Sequence, residues 1–231
     1  MRENDSMSLP APSPEMQDFF RKCLAAEPDF LIEKMKILGN FLYEMNQHVN
    51  LTAIREEKFW SLHVADSLSA ALYFPEFLQT SGRIMDLGCG AGFPSLVLAA
   101  AFPAVQVISV DSTRKKIDFV NAAAKKLSLS NLHGVHGRGN ELARKPEFRK
   151  KYDAVFARAV GSAEFLIREA LDFLKPDGAL IVFRTPEQYE SELDFLKKWK
   201  KGTFQATEIF ELPDRAGSRR FLQIKQIREI H

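Results

Sequence analysis

The chain has 231 residues, 45% of them hydrophobic and 27% charged, with a formal net charge of +2. That length and apolar content can support one substantial core and exclude a chain disordered throughout; the near balance of charge confines any nucleic-acid surface to local clusters. Cys23 and Cys89 are the two cysteines and have no metal-ligand spacing, and the longest purely apolar run, Leu96 to Phe102, is far too short to span a membrane. A cytoplasmic protein with neither a metal nor a membrane partner is expected.

Residues 1–14 are polar and punctuated by Pro10, Pro12 and Pro14, so a disordered or extended tail is expected there. Three helices should follow over 15–80. The first carries Met16, Phe19, Phe20, Cys23 and Leu24 on one face, the second Leu31, Met35, Leu38 and Leu42, and the third, over about 56–74, Phe59, Trp60, Val64 and Leu68. From residue 81 the rhythm changes to strand and helix in alternation. Strands are expected at 84–87, 105–110, 132–137, 154–158, 179–183, 204–212 and 221–227, with helices between the first six. The short loop Pro213-Asp214-Arg215-Ala216-Gly217 leaves no room for a crossover helix, so the last two strands should form an antiparallel hairpin. The fold class is therefore α/β: a seven-stranded, mostly parallel, Rossmann-like sheet ending in a hairpin, with a helical N-terminal extension.

The stretch from Arg83 to Asp111 reads as a strand, a glycine-rich turn, a helix and a second strand ending in an acid. Gly88, Gly90 and Gly92 stand at alternate positions after Asp86, where an open α/β sheet binds its ligand. A dinucleotide fingerprint would have Gly-x-Gly-x-x-Gly aimed at a pyrophosphate. Here acids flank the turn, which suits S-adenosylmethionine, a ligand with a sulfonium, an amino-acid tail and no phosphate. Asp86 either meets that cofactor or caps the turn; Asp111 is placed to hold a ribose.

The fourth strand ends in Phe156-Ala157-Arg158-Ala159-Val160, with neither an Asn-Pro-Pro element nor a Pro-Cys pair. A cysteine nucleophile, needed for pyrimidine C5 methylation, is absent from this strand end. An arginine suits an acceptor with a lone pair and no proton to lose, such as guanine N7, where positioning supplies most of the rate. Arg158 could then donate to guanine O6, or it could only pair with a nearby carboxylate.

Four segments together, Asn50-Leu51-Thr52-Ala53-Ile54, Leu62-His63-Val64-Ala65-Asp66-Ser67-Leu68, the run from Asp86 to Pro94, and Ala157-Arg158-Ala159, resemble the bacterial small-subunit (16S) ribosomal RNA guanine-N7 methyltransferases, also called glucose-inhibited division protein B. The resemblance runs from about Leu38 to Lys225. It implies a class I S-adenosylmethionine-dependent methyltransferase, with 16S ribosomal RNA or the 30S subunit as partner; a monomer is expected. It also implies cofactor contacts from Gly88, Phe93, Asp111, Ser112, Gly139, Asn140 and Arg158, and substrate-RNA contacts from Arg138, Arg219 and Arg184. Two segments depart from the family pattern: Phe183-Arg184-Thr185 replaces a Leu-Lys-Gly element, and Leu62-His63 replaces an Arg-His pair. A small-molecule or protein acceptor, or a non-catalytic RNA-binding assembly factor, therefore stays open.

Arg138 to Arg158 holds seven Lys or Arg against three acids, and Arg215 to Arg228 holds five with no acid; if these runs converge they would track RNA phosphates. His63 and Asp66 share a helical face and are read as fixing the helical extension against the sheet. Lys197, Lys198, Lys200 and Lys201 suit a helix C-terminus.

Overall fold

The computed structural model describes residues 9–78 and 81–226. Ser13 caps α1 (Pro14–Leu24), its Oγ accepting the Met16 amide at 3.1 Å, with Pro14 in the first turn where its missing N–H is not needed. α2 (Asp29–Asn46) buries a stripe of Leu31, Met35, Leu38 and Leu42. The expected third helix is broken. A 3-10 turn (Glu56–Lys58) leads into a π-helical stretch (Phe59–Ala65), then α3 (Asp66–Leu68) and α4 (Ala70–Tyr73), followed by α5 (Pro75–Leu78). Apolar spacing alone does not separate a π-helical turn from an α-helical one, so the break was not legible.

Strand and helix then alternate: β1 (Arg83–Leu87), α6 (Ser95–Ala101), β2 (Gln106–Asp111), α7 (Arg114–Lys126), β3 (Leu132–His136), α8 (Gly139–Leu142) and β4 (Tyr152–Arg158). α9 (Ala163–Ala170), β5 (Leu174–Arg184), α10 (Pro186–Lys198), β6 (Gly202–Ala206), β7 (Phe210–Glu211) and β8 (Ser218–Gln226) complete the chain. Along the sheet the order is β3-β2-β1-β4-β5-β8-β6, with β7 pairing β8 beside this path. The first five strands are parallel, and β8 runs antiparallel between β5 and β6. Order reverses between β1 and β4, which opens a crevice at their carboxyl ends.

The terminal hairpin is present, but its first strand is split. Ala206 pairs Leu222 and Phe210 pairs Arg219, leaving three residues against two; the Thr207 amide still donates to the Phe221 carbonyl at 3.0 Å, and Thr207 Oγ1 accepts the Phe221 amide at 2.9 Å. One extra residue makes a bulge that ends β6.

Alternation along the strands divides the core. Ile84, Val107, Phe156, Ile181 and Phe221 belong to one apolar cluster with α1, α2, α6 and α7, while Met85, Val155, Leu180 and Leu222 face α9 and α10. The N-terminal helices therefore form part of one layer over the sheet. Of the two expectations for the tail, the disordered one fails over residues 9–13, which are ordered and belong to neither helix nor strand. Leu9 is buried, its amide donates to Asn40 Oδ1 at 3.1 Å, and the Pro10 carbonyl accepts the Trp60 indole N–H at 2.7 Å; residues 1–8 lie outside the described residues. A buried leucine and two paired backbone groups outweigh a proline-rich composition. Among the described residues, no helix is long and apolar enough to cross a membrane.

Candidate active site

The turn after β1 is pulled onto β2: the Gly88 and Cys89 amides both donate to the Val110 carbonyl, at 2.7 and 2.9 Å. Gly88 takes φ +73°, and a Cβ there would lie 2.6 Å from Val160 Cγ2, so only glycine lets the backbone pass the end of β4. At Gly90, with φ +57°, a Cβ would meet nothing within 4 Å, because this position opens on a cavity. Gly92 has a different role. A Cβ there would run into Leu96 and Val120, so it serves the packing of the turn on α6 and α7 and lines neither cavity described below.

The two acids also differ. Asp111 Oδ2 accepts the Gly90 amide at 3.0 Å and Oδ1 the Thr113 amide at 2.8 Å, so it ties the glycine turn to the start of α7 while lining both cavities. Asp86 sits beneath the turn, 2% exposed, and lines neither; its Oδ2 accepts the Ser95 amide at 3.0 Å at the start of α6. Burial pushes its pKa up to about 6, against the opposing effect of the Ser95 hydrogen bonds. Of the two sequence readings for Asp86, the geometry matches the cap.

Two connected cavities occupy the crevice. The first, about 420 Å³, is lined by Gly88, Asp111, Ser112, Arg138, Gly139 and Asn140, together with Phe165, Arg168 and Glu169, which sequence reasoning missed. Glu169 is buried on the apolar face of α9 beside Leu166 and Ala170, and its Oε2 accepts the Asn140 amide at 2.8 Å. A charged residue on an otherwise apolar helical face was the available signal. The second cavity, about 580 Å³, joins Gly88, Gly90, Phe93, Asp111 and Ser112 to Thr52, His63, Lys116 and Arg158. Asp111 and Glu169 in the wall of the first cavity offer acceptors to hydroxyl and amine donors, with Arg138 and Arg168 balancing their charge, so the residues present fit S-adenosylmethionine.

Arg158 leaves β4 between the second cavity and a third of about 250 Å³, and lines both. Its Nη1 donates to the Leu62 carbonyl at 2.6 Å and to Asp66 Oδ2 at 2.9 Å, and its Nη2 to His63 Nδ1 at 3.4 Å. Arg219 Nε donates to Asp66 Oδ1 at 3.1 Å, so one carboxylate holds two arginines. A guanidinium only donates, so His63 Nδ1 must accept; the proton is then on Nε2, which donates to Thr52 Oγ1 at 3.1 Å. Burial, then the Arg158 charge, lowers the His63 pKa to about 3 and keeps the ring neutral, stacked on Phe93 with centroids 4.0 Å apart. The π-helical stretch supplies His63, and α3 begins with Asp66, so the broken helix meets the sheet at this site.

The basic residues are only partly brought together. Arg138 is exposed at the rim of the first cavity and Arg219 lines the third. Arg184, expected to face RNA, lines the third cavity but is buried: Nε and Nη2 pair with Glu192 Oε2 and Oε1 at 2.9 and 3.0 Å, and Nη2 also donates to the Gly161 carbonyl at 2.6 Å. Its donors are committed to fixing the loop after β4 to α10. The two basic runs meet at Arg158 and Arg219, which share Asp66 and line the third cavity, and elsewhere they separate. Lys150 and Lys151 enter β4 at its amino end, away from the cavities; Arg220 stacks on Tyr189 at 4.0 Å, and Arg228 lies outside the described residues. Arg114 and Lys115, exposed in the first turn of α7 next to the cavity-lining Lys116, were not singled out from sequence.

A doubly wound sheet with this glycine turn, Asp111 at the end of the neighbouring strand, and antiparallel β8 beyond β5 defines the class I S-adenosylmethionine-dependent methyltransferase fold. A SAM-dependent O-methyltransferase from Thermotoga maritima has the same fold, with a TM-score of 0.58 at 19% identity, covering 84% of this chain and 73% of that one. The chain belongs to the GidB family, described as rRNA small subunit methyltransferase G, whose pattern matches residues 31–216. It is similar to the ribosomal RNA small subunit methyltransferase G of Lachnoclostridium phytofermentans, 34% identical over 201 residues that cover 86% of this chain and 82% of the relative. That of Brevibacillus brevis is 34% identical over 217 residues, 90% of each chain.

Proposed function

We propose that this methyltransferase transfers a methyl group from S-adenosylmethionine to N7 of one guanine in small-subunit (16S) ribosomal RNA, acting in the cytoplasm as a monomer. The observation that carries the reading is the end of β4. Arg158, an obligate donor tied to Asp66 and beside a neutral His63, stands where a proton-accepting or nucleophilic group would be needed for most other acceptors. Guanine N7 offers a lone pair and has no proton to lose, so a base is unnecessary. When bound, the cofactor supplies an electrophilic methyl on a sulfonium. Residues 81–231 carry the transferase, and the helical extension over 15–80 supplies Thr52, His63 and Asp66 to its wall.

In this reading Gly88 and Gly90 let the cofactor lie against backbone, Asp111 keeps lone pairs free for ribose hydroxyls, and Ser112, Gly139, Asn140 and Glu169 surround the adenosine. Phe93 and Arg158 border the transferring end. Exposed Arg114, Lys115, Arg138 and Arg168 contribute phosphate contacts around the mouth, so binding should weaken steeply with salt. Labelled-methyl transfer into small-subunit RNA or 30S subunits, followed by mapping of the modified base, tests the assignment. Label on a single guanine N7 is expected; incorporation only into protein or a small acceptor would overturn it.

A further inference from the structure

The third cavity opens beside the second, and Arg158 and Ala159 line both. Ile54, Leu62 and Phe183 give it apolar walls, and its polar groups are Asp66, Arg158, Arg219, Thr185, Gln188 and Arg184, the last already paired with Glu192. With Arg184 neutralised by Glu192, the charges of Asp66, Arg158 and Arg219 sum to +1, yet a phosphate would confront the Asp66 carboxylate at close range. A carboxylate and guanidinium groups in one apolar slot instead suit a planar ligand that carries both donors and an acceptor. Each Asp66 oxygen takes one guanidinium N–H, at 2.9 and 3.1 Å, leaving lone pairs on both.

We propose that this cavity receives the acceptor guanine and that Asp66 reads its Watson–Crick edge, accepting from N1–H and the N2 amine while an arginine donates to O6. The assignment rests on the functional reading above. It leaves N7 unobstructed on the side of the second cavity. Adenine presents a single donor on this edge beside an acceptor nitrogen and would leave one Asp66 oxygen facing a lone pair. Transfer forms the N7–C bond and breaks the S–C bond, so the positive charge passes from sulfur to the purine and no proton is released. As that charge grows, N1–H becomes more acidic and its bond to Asp66 strengthens, so Asp66 binds the transition state more tightly than the ground state. Arg158 and Arg219 hold the carboxylate in register for this contact.

The test uses small-subunit RNA assembled by ligation with guanosine, or inosine, which lacks the N2 amine, at the position mapped as methylated. Wild-type transfer to inosine should fall about tenfold. Asp66→Asn should lower transfer to guanosine by about 100-fold, act on both RNAs at equal rates, and keep its calorimetric affinity for S-adenosylmethionine. Equal wild-type rates on the two RNAs, or an Asp66→Asn enzyme with the wild-type preference, would overturn the proposal. The wild-type comparison needs no variant, so it decides even if Asp66→Asn does not fold. No transfer by the wild type to the guanosine RNA would overturn the functional reading, and this assignment with it.

Discussion

Two aspartates a strand apart show how position decides chemistry at the scale of single residues. Asp111 accepts two amides at the cavity wall, and its replacement by Ala should raise the dissociation constant for S-adenosylmethionine by about tenfold or more, read by calorimetry. Asp86 is buried and its effect appears in stability. Its folded pKa of about 6 exceeds its ordinary 3.8, so the stabilisation from the bound proton is full below pH 3.8 and lost as pH rises through 6. His63 has the opposite sign: its pKa falls from 6.5 to about 3, so its contribution is present above pH 6.5 and lost as pH falls towards 3. Asp86→Asn cannot ionise. Its stability relative to wild type should therefore rise with pH across the Asp86 window, by at most about 3 kcal/mol, measured by denaturant titration at several pH values. A constant difference would refute the buried carboxyl. Both acids were legible as candidates, Asp86 because it nearly ends a strand just before Gly88 and Asp111 because it ends the next strand at the spacing of a ribose-holding acid. Depth was not, because it depends on what α6 and Val110 place around the turn.

Among the elements, those set by local chemistry were readable and those set by partners were not. α10 begins with Thr185 and Gln188 in a reciprocal cap, Thr185 Oγ1 accepting the Gln188 amide at 3.3 Å and Gln188 Oε1 accepting the Thr185 amide at 3.0 Å. Thr185→Ala should cost about 1 kcal/mol in urea unfolding. Lysines do gather at the end of this helix, where Lys197 and Lys198 fill the last turn and Lys200 Nζ donates to the Lys197 carbonyl at 3.1 Å. The split of the terminal hairpin is a different matter. Thr207 replaces part of the ladder with its side chain, and nothing in the run from Phe204 to Leu212 announces it. The π-helical stretch is likewise unannounced, and it is where His63 and Asp66 meet Arg158.

Across the whole molecule, one cluster of buried apolar residues runs from Leu9 through Phe59 and Leu96 to Phe156. Leu9, 3% exposed, lies against Gly39, where a Cβ would collide with it. Leu9→Ala should therefore destabilise the chain by roughly 2–3 kcal/mol and shift a single unfolding transition; a second transition or an unchanged midpoint would contradict a shared core.

By itself the sequence determined the order of strands and helices, the glycine turn, Asp111 and the antiparallel end, because these depend on local periodicity, on the missing glycine Cβ and on loops too short for a crossover. Tertiary structure decided the rest. It buried Arg184 against Glu192, took Asp86 and Gly92 out of the cavity wall, brought Glu169 into it, and joined Asp66 to arginines 92 and 153 residues away. The reason is physical: a charged side chain acts through the partner that shares its low-dielectric surroundings, and that partner is chosen by packing across the sheet, which spacing along the chain does not record.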